Sequence, residues 1–447
     1  VRFTLHAKYI RIGRFGLPGL AQPVLSVAAD KEWSVDALEL ILKNIGVLAT
    51  PVGNTAAKGK SQGEITLIEK AAVGIEAGRI AYIGLCERAP AADKTIDCEG
   101  RLVTPGLVDA HTHLVFGGWR QKEMARKLAG ESYLDILRSG GGILDTVGKT
   151  REASEDELFE KGMGLLSDML AHGSTTIECK SGYGLNLADE LKQLRVAKKL
   201  GEHAQVELVR TFMGAHAIPP EYRCDREEYI DLVCDVMMPA VKAEGLAEFC
   251  DIFCETAVFT TKEASYILGK AVEHGLIPKA HVDEINPIGG AEMAASAGCL
   301  SAEHLIQASD EGIQALADNN VVACLLPGTS FHLGKDYARA RDMILAGVAV
   351  AVCTDFNPGS NPNLNLQLPM YLACNRYRMN PAEVLTAVTL NGAAAIGRAD
   401  QIGTLEVGKQ ADLVIWNSPD LDYIFYRYGN NLVNSVVKKG KVVAQNC

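Results

Sequence analysis

Between residues 102 and 354, short apolar runs rich in β-branched residues recur, each followed by turn residues. They lie at 102–109, 175–179, 206–213, 249–254, 276–281, 300–304, 321–326 and 348–354. Stretches with helical spacing of apolar residues separate several of them, at 155–171, 189–200, 262–274 and 310–318. Strands alternating with helices build parallel sheets, because each helix returns the chain to the start of the next strand. Eight such runs match the count of an α/β fold of the (β/α)8 barrel type. A doubly wound sheet is the alternative, but it needs a glycine-rich phosphate turn after its first strand. This chain has His111-Thr-His113 at that place.

The two ends read differently. Short β runs with turns occupy 65–68, 72–75, 79–84 and 95–97, and again 403–405, 411–416, 433–437 and 442–444. They predict a small β-sandwich domain assembled from both ends, 36–104 plus 395–447, beside a barrel at 105–394. Residues 1–35 hold Arg2, Lys8, Arg11 and Arg14 with no acid before Asp30. That bias weakly resembles a targeting segment, and an extension outside the fold is expected there.

Composition narrows the partners. A net charge of −11 argues against a nucleic-acid or anionic-membrane surface, so an anionic substrate needs a local cation. Twelve cysteines without a CxxC pair point to reduced thiols and a cytoplasmic protein rather than a disulfide framework. The longest apolar run, at 344–353, is too short to cross a bilayer.

Barrel enzymes carry their chemistry at the C-terminal ends of the strands. Those ends hold His111 and His113 on the first run, His281 on the fifth, His304 on the sixth and Asp355 on the eighth. His111 and His113 stand two apart, so an extended backbone sends both to one face. Three imidazoles and a carboxylate, with room for water, suit one catalytic Zn²⁺ or iron ion held by His111, His113, His281 and Asp355. His304 then hydrogen-bonds the reacting group. A second ion needs a bridging ligand such as a carbamylated lysine on strand four. Lys180 follows strand two instead, and strand four ends at 251–255 without a lysine.

Glu284, three residues past His281, is placed as general acid/base and principal proton shuttle. Asp355 can take the proton of the attacking water, while Glu284 and His304 orient the nucleophile and stabilise the tetrahedral intermediate. Arg120 can clamp a carboxylate, although its position equally allows a surface salt bridge. Gly140 to Thr150 nearly spells a phosphate loop, but five residues separate Gly142 from Gly148 where four are needed. It reads as a flexible barrel loop. The turn from Asp355 to Ser360 reads as a substrate contact.

Several stretches carry a resemblance: 103–118, 132–142, Lys180-Ser-Gly-Tyr183-Gly, the run from Phe212 to Pro220, His281-Val-Asp-Glu284, 325–328 and 354–359. With them the chain resembles the amidohydrolase superfamily and, within it, the imidazolonepropionase family, over about residues 37–447. The resemblance implies a ring opening in histidine degradation, 4-imidazolone-5-propanoate plus water giving N-formimidoyl-L-glutamate. It implies one zinc or iron ion, a cytoplasmic location and a homodimer. It also implies that Arg120, Tyr183 and His216 contact the substrate, with Glu284 and Ser360 near the ring and Asn357 and Gly359 holding the product.

Two rivals remain. A deaminase or cyclic amidase for a pyrimidine or guanine shares the metal residues but gives no reason for Arg120 and Tyr183. A non-catalytic scaffold usually loses ligands, and every proposed ligand is present.

Overall fold

The computed structural model describes residues 38–131 and 141–446, so the expected N-terminal extension and most of the 132–142 stretch lie outside the described residues. Among the described residues the strands form two eight-stranded sheets.

The first is the barrel: β6 (Leu107–Asp109), β7 (Ser174–Lys180), β8 (Glu207–Ala215), β9 (Phe249–Cys254), β10 (Ile277–Val282), β11 (Ser301–His304), β12 (Val322–Leu325) and β13 (Val350–Val352). Neighbours in the chain pair in parallel, with register such as His281 opposite Glu303. Closure occurs past the strand ends. Thr112 bridges Phe356, His113 N donates to Phe356 O at 2.9 Å, and Asp355 N donates to His111 O at 3.0 Å. Thr354 N and Oγ1 both donate to the buried carboxylate of Asp109, at 3.0 and 2.6 Å. The seam of the barrel is thus sewn beside the histidine pair.

The helices expected from periodicity are present as Glu155–Ala171, Leu187–His203, Thr261–Glu273 and Asp310–Asp318. Ser154 with Glu157 and Thr260 with Glu263 form capping boxes that fix where two of them begin. The opposite end of the barrel is plugged. Leu390, Ile396 and Ile402 pack there with Val108, Phe249 and Val322.

The second sheet combines β1 (Leu38–Pro51), β2 (Ile65–Glu76), β3 (Arg79–Leu85), β4 (Ala92–Asp97) and β5 (Leu102–Pro105) with β14 (Leu413–Trp416), β15 (Val433–Lys438) and β16 (Lys441–Gln445). Its order is β16-β15-β14-β5-β1-β2-β3, with β4 also on β1. Leu42, Val73, Ile80, Val103, Leu413 and Val437 share one apolar core, so strands from both chain ends enclose a common interior.

Three local expectations change. The run 102–109 is two strands: β5 belongs to the terminal sheet, and after Gly106 the chain enters the barrel as β6. A side chain on Gly106 would collide with Thr175, so the crossing between sheets needs a residue without Cβ. The 403–405 run is irregular rather than a strand, although Leu405 fills the core of the terminal sheet. Finally, the glycine-rich stretch does not stay a loop. Gly142, at φ +68°, caps a helix Ile143–Glu152 whose Thr146, Val147 and Thr150 face inward. Gly148-Lys149-Thr150 therefore sits within a helix, where no phosphate nest can form.

Candidate metal centre

Four strand ends converge. His111 and His113 follow β6, His281 lies on β10, His304 ends β11 and Asp355 follows β13. All five are buried. His304 and Asp355 have φ of +70° and +54°, left-handed backbone that is uncommon for residues with a Cβ. At both places the chain turns sharply off its strand.

His111, His113 and His281 each offer a ring nitrogen, and these atoms lie within 4.8 Å of one another. Asp355 Oδ1 stands 3.5 Å from His111 Nε2 and 3.6 Å from His113 Nε2. The other faces of the rings are held. His111 Nδ1 is 2.9 Å from Glu303 Oε2 and His281 Nδ1 is 3.1 Å from Asp251 Oδ1. A carboxylate only accepts, so each Nδ1 carries the proton and each Nε2 faces the centre. His113 and His281 approach there to 3.4 Å between Nε2 atoms.

Burial, then the nearby Lys180 and the other rings, holds His111 well below the usual histidine range. Burial, with His216 and His281, does the same for His113. Neutral imidazole is the metal-binding form. Burial also works against charge on His281, but Asp251 outweighs it and raises its pKa. A cation at the centre would exchange with that proton. His111 Nε2 is buried and makes no hydrogen bond, which leaves its lone pair aimed at the same point. The donor set thus fits a divalent ion.

Asp355 is fixed by short contacts. Thr329 Oγ1 donates to Oδ2 at 2.5 Å, Asn357 Nδ2 to Oδ1 at 3.0 Å and Ser360 Oγ to Oδ2 at 3.3 Å. Burial raises its pKa. Glu284 Oε2 lies 3.6 Å from His304 Nε2. Burial pushes Glu284 up to about 7 and His304 down to about 3, so the histidine is neutral while the acid titrates near neutrality.

The expected substrate contacts surround this point. The His216 ring stacks on His113, with centroids 5.0 Å apart and planes 17° apart, and Tyr183 lies 5.3 Å from His216. Arg120 is not a surface residue, its side chain being 9% exposed. Its Nε and Nη2 donate to Glu123 at 3.1 and 2.9 Å, and a Cβ on Gly359 would fall on its Nη1. Asn357 Oδ1 accepts from Gly359 N and Ser360 N at 2.8 and 2.7 Å, which shapes the turn beside Asp355.

Beneath the histidines lies a set of charges that the sequence reading left unassigned. Lys180 Nζ pairs with Glu178 Oε1 and Asp251 Oδ2, both at 2.7 Å. Lys279 Nζ pairs with Glu178 Oε1 at 2.8 Å and with Glu303 Oε1 at 3.6 Å. All five side chains are fully buried. Their signature is period two. Glu178 and Lys180, Lys279 and His281, Ser301 and Glu303 alternate along apolar strands and so point into the barrel together. With Lys180 held between two carboxylates, it does not reach the centre as a bridging ligand.

An amidohydrolase family profile matches residues 102–443. The chain is 53% identical over 409 residues to an imidazolonepropionase of Bacillus velezensis, covering 91% of this chain and 97% of that protein. It is 50% identical over 414 residues to an imidazolonepropionase of Alkaliphilus metalliredigens, covering 91% and 98%. Among solved structures, an atrazine chlorohydrolase from Arthrobacter aurescens TC1 complexed with zinc superposes with a TM-score of 0.66 at 19% identity, covering 91% and 95%. A 5-methylcytosine deaminase from Klebsiella pneumoniae gives 0.67 at 17% identity, covering 90% and 97%. At these low identities the structures speak for the fold alone, whereas the two relatives match nearly end to end. The chain belongs to the amidohydrolase family and, within it, to the imidazolonepropionases.

Proposed function

We propose that the chain hydrolyses 4-imidazolone-5-propanoate to N-formimidoyl-L-glutamate. Water adds to the ring carbonyl carbon, the C–N bond to the ring nitrogen breaks, and that nitrogen leaves with a proton. The supporting observation is 50–53% identity to imidazolonepropionases over 91% of a chain whose three histidine nitrogens lie within 4.8 Å of one another.

We assign one divalent ion, zinc or iron, to His111, His113, His281 and Asp355; bound there, it lowers the pKa of a water and polarises the ring carbonyl. Asp355 accepts a proton from the nucleophile. Glu284, at about 7, can both take and return a proton near neutrality, and is assigned the transfer to the leaving nitrogen. Neutral His304 donates to the developing oxyanion. Arg120 and Tyr183 hold the propanoate, His216 packs on the ring, and Ser360, Asn357 and Gly359 line the turn against it. Pairing with Glu123 fixes the guanidinium in place before substrate arrives, which is preorganisation of the kind that strengthens a clamp.

Among the described residues no helix is long and apolar enough to cross a membrane. A cytoplasmic homodimer completes the proposal, and light scattering on the purified protein tests the second part. The reaction is tested by elemental analysis and turnover on freshly generated imidazolonepropionate, with cytosine and guanine as competitors. Turnover of either base in preference would replace this reading with the deaminase one.

A further inference from the structure

We propose that Lys161 is a positioning residue that sets the Arg120 guanidinium for the substrate carboxylate. The inference rests on the function proposed above and extends it to a residue on an outer helix.

The loop from Phe116 to Arg120 joins the histidine pair to the clamp, and two lysines grip its backbone. Lys161 Nζ, from the helix Glu155–Ala171, donates to Phe116 O at 3.1 Å and Gly118 O at 2.6 Å. It also sits over the rings of Phe116 and Trp119, 3.6 and 4.4 Å from their centroids. Lys149 Nζ, from the helix Ile143–Glu152, donates to Trp119 O at 3.3 Å. Gly117 N donates to Thr150 Oγ1 at 2.9 Å, and side chains on Gly117 and Gly118 would collide with Lys149. The residue after Trp119 is Arg120. On its far side the same loop packs on the metal-side turn, with the Phe356 ring 6.0 Å from Phe116 and 6.2 Å from Trp119.

An ammonium that donates to two carbonyls and lies over two aromatic faces fixes those four groups relative to one another. Phe116 is anchored in the core and Trp119 is 40% exposed, so the cation ties the exposed end of the loop to its buried end. Arg120 inherits that position. A neutral isostere of Lys161 keeps the stem but leaves both carbonyls without that donor and takes the cation from the Trp119 ring. Loss of the clamp's position weakens carboxylate binding without touching the chemistry at the ring.

The charged groups facing Lys161 are Lys149 and Glu152 from the neighbouring helix and Glu157 from its own. Burial, with Lys149 beside it, brings Lys161 down to about 7, so the cation is full below neutrality and is lost above it.

Lys161→Met and Lys161→Arg test the idea on the metal-loaded full chain. Lys161→Met is expected to raise KM about tenfold with kcat within about twofold, and to leave KM unchanged for the imidazolone ring lacking its propanoate. Lys161→Arg is expected to restore KM and to flatten the rise of KM expected of the wild type above about pH 7. Trp119 emission, isolated by subtraction of Trp119→Phe, should shift in Lys161→Met and not in Lys161→Arg. An unchanged KM, an equal loss on the truncated ring, or a fall in kcat alone would overturn the proposal. If the wild type does not open imidazolonepropionate, the proposed function fails, and Trp119 emission still decides whether Lys161 holds the loop.

Discussion

Asp251 Oδ1 stands 3.1 Å from His281 Nδ1, and that contact decides which nitrogen of the ring faces the centre. Asp251 also takes Lys180 on its other oxygen at 2.7 Å, so one carboxylate connects a proposed ligand to the buried charge set. Asp251→Asn keeps the shape, weakens the hold on His281 and leaves Lys180 on Glu178. Metal affinity is expected to fall about 10–100-fold. Competition with a chelator, followed by elemental analysis, measures it. Wild-type retention would show that ring orientation comes from packing instead.

His304 lies among the rings, 5.2 Å from His281 between centroids, yet it stands apart from the three nitrogens that cluster. The assignment of ligands therefore separates two variants. His113→Ala should lose the ion. His304→Asn should keep it while kcat falls about 100-fold, the scale of one lost polar contact to a transition state. Loss of metal in His304→Asn would move it into the ligand set.

The sequence disclosed the barrel because each apolar run and each amphipathic helix is a local pattern. The helices 155–171 and 310–318 have the bounds their periodicity predicts. Residues that chain direction alone sends to one face, such as His111 and His113, were legible for the same reason. Glu303 was not, because its meaning is a hydrogen bond to a histidine 192 residues away. Its only local trace is an acid at an inward position of an apolar strand. Gly106 interrupts the run 102–109, but its consequence, passage of the chain between two sheets, depends on Thr175 across the gap. The helix at 143–152 was missed because glycines flank and interrupt it, while three inward-facing residues pack it in place.

Glu284 sets the expected pH dependence. Burial raises its pKa to about 7, so it is a neutral acid below that value and a carboxylate above. As the relay that takes the proton on from Asp355 before passing it to the leaving nitrogen, it is active when ionised, and kcat should rise with pH through about 7 to a plateau. Glu284→Gln should lower kcat about 100- to 10,000-fold and remove that limb, with metal content unchanged. A limb that falls through the same region would make Glu284 an obligatory acid. Near-full turnover in Glu284→Gln would dismiss it as the shuttle.

Gly359 offers the sharpest steric test of the clamp. A Cβ built there lands on Arg120 Nη1, the far end of a side chain that can shift but is tied by two bonds to Glu123. No positive φ is required at this residue, so Gly359→Ala adds a methyl group without backbone strain. The guanidinium must then give way, and with it the site for the propanoate. KM is expected to rise at least about tenfold, since a bidentate charge-assisted pair is geometrically demanding. Metal content and thermal stability should stay near wild type, because Asp355 keeps its bonds to Thr329 and Asn357. Arg120→Lys should raise KM as well, and adding Gly359→Ala to it should then cost little, since the shorter cation no longer lies against that carbon. Full additivity of the two changes would show that the methyl group acts elsewhere, on the turn itself rather than through the arginine.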